Sequence, residues 1–182
     1  MRRIFRRQLL GIVYGTLVAF AFASTAWAGS CFLCRKPVLD TPISLAAGTI
    51  RTPEFPIKHE VYTISIQVER TIPPAELNCM IGVKAFPWQP DHCGMFHYET
   101  LLEADWTVWD GDHSVAHGSV HGIDSNVDVS TKDLMSRRIG DFVGEKGKRY
   151  ILEVKFTKDG TPLNVTHPHL IVMMTKPTDM LP

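Results

Sequence analysis

Apolar and polar side chains alternate through most of the chain after residue 60. Over residues 61–68, Val61, Thr63, Ser65 and Gln67 fall on one face and Tyr62, Ile64, Ile66 and Val68 on the other. A period of two places successive side chains on opposite faces of an extended chain, so this segment predicts a half-buried strand. Thr71-Ile-Pro-Pro74 ends it, because proline cannot donate to a ladder. A second alternating run, residues 78–86, sets Met80, Gly82, Lys84 and Phe86 against Cys79, Ile81, Val83 and Ala85 and predicts another strand. Residues 101–109 predict a third. The composition of Asp110-Gly-Asp112 is that of a turn, so residues 106–118 read as a hairpin.

The later part repeats the pattern. Residues 133–139 suit a short helix or a strand, and residues 145–148 a turn. Residues 150–156 form the strongest late strand, closed by Lys158-Asp-Gly160, and the apolar run 169–175 predicts a central strand. About seven strands, with no long amphipathic helix, predict an all-β antiparallel sandwich. Residues 35–57 carry Pro37, Pro42, Pro53 and Pro56 and read as an irregular lead-in with one edge strand. The expected organisation is an extended proline-rich arm at 29–57, a sandwich domain at 58–176 and a tail at 177–182.

The first 28 residues have a different character. Arg2, Arg3, Arg6 and Arg7 precede an apolar run over residues 9–23, and Ala26-Trp27-Ala28 follows as a small-x-small site. That order predicts a cleaved signal peptide and hence a periplasmic or secreted protein. Phe5-Arg-Arg-Gln-Leu-Leu10 resembles a twin-arginine signal, without the usual Ser or Thr before the arginine pair. A lipoprotein acylated at Cys31 is a further reading, although Ala28 stands where a Leu is expected. Cleavage leaves 15 of the original 19 basic residues against 19 acidic ones, a net charge of about −4. No basic field for nucleic acid and no second apolar span remain.

Four cysteines, Cys31, Cys34, Cys79 and Cys93, belong to the exported part, and an even number in an oxidising compartment predicts disulfides. Three connectivities are open. Closing a loop between Cys79 and Cys93 contributes roughly 3 kcal/mol. Cys31-Phe-Leu-Cys34 lacks the following helix that a redox dithiol uses to stabilise its thiolate.

Parts of the pattern resemble a known family. Trp106-Thr-Val-Trp-Asp110 with Val115-Ala-His-Gly118, Gly147-Lys-Arg-Tyr-Ile-Leu-Glu-Val154 and Pro168-His-Leu-Ile-Val172 are similar to segments of small exported proteobacterial proteins. The resemblance spans roughly residues 55–175. It implies an immunoglobulin-like β-sandwich of about seven strands and an exported location, and it carries over no catalytic or binding residue.

Histidine is the over-supplied functional type, with eight between His59 and His169. His113, His117 and His121 recur every four residues. On one strand they share a face but stand about 13 Å apart at each step, too far for one ion. His92, Met95 and His97 offer soft donors for copper or zinc, with His167 and His169 on one side of an extended segment as further ligands. The order of donors is not that of a blue-copper loop. No nucleophile elbow, phosphate loop or HExxH motif is present. The expected function is therefore a non-enzymatic, cofactor-free binding module for another envelope protein, of inhibitor or toxin-immunity type. Trp106 and Trp109, on opposite faces of one strand, are the candidate contact residues. The alternative is a periplasmic copper- or zinc-binding protein.

Overall fold

Antiparallel strand pairing organises this chain into two sheets that bury one hydrophobic core. The computed structural model describes residues 36–58, 61–84, 92–95, 98–123 and 127–175. The predicted signal peptide, Cys31, Cys34, His97 and the tail at 177–182 lie outside the described residues, as do the side chains of His92 and Met95.

The first sheet contains β1 (Leu39–Pro42), β4 (Val61–Glu69), β7 (Val127–Ser130), β8 (Leu134–Val143) and β10 (His169–Met174), in the order β1-β10-β4-β8-β7. The second contains β2 (Gly48–Arg51), β3 (Phe55–Pro56), β5 (Ala104–Asp110), β6 (His113–Val120) and β9 (Arg149–Phe156). Its order is β2-β9-β5-β6, with β3 also pairing β9. The predicted lead-in thus carries three short strands rather than one. Two of them extend the second sheet and one edges the first.

The alternation in β4 holds on its inner face: Tyr62, Ile64, Ile66 and Val68 are all buried. Thr63 and Ser65 on the opposite face are buried as well, so β4 is not the half-exposed strand its pattern predicts. Inside the core, Phe142 of β8 stacks on Tyr62 at a centroid distance of 5.7 Å and meets the edges of Phe55 and Tyr150 from the second sheet. One aromatic cluster therefore joins β3, β4, β8 and β9.

Residues 78–84 depart from the strand predicted over 78–86, whose last two residues lie outside the described residues. Helix α1 (Pro74–Ile81) occupies the first half of that run. Pro74 suits the first helical turn, where its missing N–H costs nothing, and Glu76 favours the positive helix end. Gly82 closes the helix at φ 74°, a left-handed conformation suited to glycine. The bonds from Gly82 N to Cys79 O and from Val83 N to Asn78 O complete a Schellman motif. The buried residues Leu77, Cys79 and Ile81 mimic a period of two because this short helix is enclosed on several sides. Of residues 133–139, ambiguous in sequence, 134–139 belong to β8 and Asp133 precedes it.

Candidate interaction surface

Two sheet edges come together at one corner of the molecule. β6 ends the second sheet, pairing only with β5 among the described residues. β8 pairs β4 along its whole length, but β7 covers its other side only at Met135, Ser136 and Arg137. Residues 138–143 therefore have no strand partner on that side among the described residues, although the Ile139 carbonyl is taken by a side chain. β8 lies beside β6, with Cα atoms within 8 Å, and residues 119–121 and 138–141 line one hollow between them.

Each edge is broken by an extra residue. Val115 has no register partner between Ala116 (opposite Val108) and Ser114 (opposite Trp109). Ile139 has none between Arg138 (opposite Ser65) and Gly140 (opposite Ile64). Such bulges bend a strand and interrupt its ladder, which protects an edge from indiscriminate pairing.

Trp106 fills the inner side of the corner. Its Nε1–H donates to the carbonyl oxygen of Ile139 at 2.8 Å, and only 6% of the residue is exposed. Its ring lies against Gly118 of β6 and Gly140 of β8, and a Cβ added at either glycine would strike the indole. The proposed contact role of Trp106 is therefore corrected: its face of β5 is the core face. Trp109 lies on the other face, half-buried, opposite Ser114 and Ile151. Its Nε1 is buried with no hydrogen-bond partner among the described residues.

On the outer side, the corner forms two adjoining hollows. The smaller, about 360 Å3, is lined by residues 119–121 and 138–141. The larger, about 510 Å3, is lined chiefly by Val61, Val115, Ala116, Phe142, Val143 and the ion pair of Arg138 with Asp141. Val143 is 71% exposed and Val115 42%. Exposed valines beside a free strand edge are the apolar feature of this surface.

The polar floor shared by both hollows is fixed by hydrogen bonds. Arg138 Nε donates to Asp141 Oδ2 at 2.8 Å, and a terminal guanidinium nitrogen of Arg138 reaches the same oxygen. Thr63 Oγ1 donates to Asp141 Oδ1 at 2.8 Å, and Thr63 bonds Thr175 through their hydroxyls at 2.7 Å. The end of β10, β4 and β8 are thereby held in register beneath the groove.

Behind the groove lies Arg137, fully buried. Its Nη1 donates to the carbonyls of Ile81 at 2.7 Å and Leu102 at 2.8 Å, and Nη2 to that of Gly122 at 2.8 Å. The Ile81 carbonyl belongs to the negative end of α1, where a cation is favoured. Arg137 was not singled out from the sequence. The signal was available: adjacent residues of a strand point to opposite faces, so one of Arg137 and Arg138 has to enter the core.

Cys79 and Cys93 form a disulfide, which ties α1 to the short helix α2 (His92–Met95). Of the candidate metal donors, His167 and His169 do not share one side. His167 has φ 47°, which breaks the extended segment, and its Nδ1 bonds Glu69 of β4 at 2.8 Å. His169 Nδ1 bonds Asp40 of β1 at 2.6 Å, so the two rings lean toward opposite neighbours of β10. His113 and His117 do not share a face either. The extra residue Val115 between them puts His113 opposite Asp110 and His117 opposite Thr107. His121 lies between Glu103 and Asp105, 3.6 Å from each. Among the described residues, no three His, Cys, Asp or Glu side chains converge as a metal site.

Two groups at the surface are electrostatically tuned. Asp110 at 2.9 Å and Glu145 at 3.2 Å hold the Lys148 ammonium well above the ordinary lysine range. Hydrogen bonds from Thr161 pull the Asp159 carboxyl below its ordinary range. Among the described residues, no helix is long and apolar enough to cross a membrane.

Comparison with solved structures finds a crystal structure of a protein from Sulfurospirillum deleyianum with a TM-score of 0.53 and 12% identity, covering 79% of this chain and 99% of the other. At that identity the likeness is one of fold. No protein-family profile and no curated protein matches the chain.

Proposed function

We propose that this chain is an exported, non-enzymatic module that binds another envelope protein, of inhibitor or toxin-immunity type, on an immunoglobulin-like sandwich. The observation that carries the reading is the groove between β6 and β8, where Val115 and Val143 stand exposed beside a free strand edge. A partner covering the two valines removes apolar surface from water, worth about 25 cal/mol per Å2. Main-chain groups of residues 140–143, which no further strand pairs among the described residues, add hydrogen bonds to an approaching chain. Half-buried Trp109, opposite the residue next to Val115, is a second anchor on the same hairpin.

Export by a signal peptide at residues 1–28 fits the Cys79–Cys93 disulfide, since such bridges persist in oxidising compartments. The groove itself is open and apolar at one end. Its ionic pair is already neutralised internally, which suits a contact surface better than a reaction centre.

The test is capture of partners from an envelope extract by the folded, oxidised protein, compared with Val143→Asp and Trp109→Ala. One identified protein, retained by the parent and lost by both variants, supports the reading. Equal capture by all three contradicts it.

A further inference from the structure

Arg137 holds both walls of the groove. It precedes Arg138, so its position sets where β8 enters the outer corner. The carbonyl it binds at Gly122 follows directly on residues 119–121, which form the facing wall of the smaller hollow. The remaining anchors are Ile81 and Leu102. Leu102 N and Leu101 N both donate to the carbonyl of Met80, so these anchors rest on the last turn of α1.

That turn contains Cys79. The bridge to Cys93 closes on the residue before Met80 and two before Ile81. We propose that the Cys79–Cys93 disulfide is an oxidation gate for the groove: forming it fixes the end of α1, which seats Arg137 and thereby both walls. This regulation rests on the reading of the groove as the contact surface. In the gating step, a disulfide oxidant accepts two electrons and two protons from the Cys79 and Cys93 thiols. An S–S bond forms in the protein and the oxidant leaves as a dithiol. Both cysteines are almost fully buried, at 3% and 8% exposure, so the bridge persists in the folded protein. Before oxidation the walls lack their anchor, and the surface is withheld until the chain reaches an oxidising compartment.

Amide hydrogen exchange on the isolated protein tests this without any partner, so its failure is separable from failure of the proposed function. The oxidised parent is compared with Cys79→Ala/Cys93→Ala and with oxidised Arg137→Lys, which retains the charge but not the fork. The expected result is on the order of tenfold faster exchange at residues 119–122 and 138–141 in both variants, beyond the factor by which global stability falls in urea unfolding of the same variant. The paired strands β1 and β10 should lose protection by that global factor at most. Wall exchange that changes by no more than the global factor overturns the gate and marks the bridge as a general stabiliser. Should the double variant not fold, the parent reduced with a thiol takes its place in the same comparison, because Arg137→Lys tests the arginine anchor and not its dependence on the bridge.

Discussion

The indole N–H of Trp106 on β5 donates to the carbonyl of Ile139 on β8, 2.8 Å away and in the other sheet. Ile139 is the residue the β4–β8 register skips. The bulge and the tryptophan answer each other: one turns a carbonyl away from its ladder, and the other supplies a donor for it. The glycines at 118 and 140 leave the room the ring needs.

Replacing Trp106 with Phe should leave that buried carbonyl without its donor and cost about 1–3 kcal/mol. Gly140→Ala should cost a similar amount by overpacking against the indole. Since phenylalanine is smaller, the two substitutions together should cost less than their sum. Urea unfolding of the single and double variants reads the coupling, and strict additivity would mean that the ring does not rest on Gly140.

Arg137→Met removes the donor to two buried carbonyls and one half-buried carbonyl at once and should destabilise the fold by about 3 kcal/mol. Arg137→Lys should fall between parent and Met, since an ammonium cannot span all three acceptors. Equal stability of Met variant and parent, measured by denaturant midpoint, would contradict the clamp.

Loss of the Cys79–Cys93 bridge should cost roughly 3 kcal/mol, as expected for closing a loop of this separation. The comparison is unfolding of the oxidised protein against the Cys79→Ala/Cys93→Ala variant. No difference would mean that the bridge adds nothing to the fold.

The Asp159 carboxyl titrates below its ordinary range because Thr161 donates to its ionised form through both hydroxyl and backbone N–H. The stabilisation is therefore present above the ordinary carboxyl range and is lost as pH falls through the lowered value. Thr161→Val removes the hydroxyl and should raise the Asp159 midpoint, read by NMR titration of its side chain. Lys148 has the opposite sign: its contribution holds through neutral pH and is lost only in strong alkali.

Much of the fold was legible in the chain because the strands carry a one-sided core pattern. The β5–β6 hairpin, β9 and β10 lie within a few residues of where alternation and turn residues put them. Helix α1 was missed because Cys79, Ile81 and Val83 alternate like a strand. The better signals were Pro74 at its start and Gly82 at its end. The contact surface was half legible. The burial of Trp106 depends on a glycine from a strand 34 positions later, Gly140, which no local pattern reveals. The exposed valines at 115 and 143 read as ordinary strand residues, because bulges and a short β7, not hydropathy, leave them uncovered.

The most direct test places a photo-cross-linking residue at position 143, and separately at Val165, a valine 59% exposed that does not line the groove. The predicted result in the native envelope is a single identified protein adduct from position 143 and none from 165. No adduct at 143, or the same adducts from both positions, would contradict the groove as the contact surface.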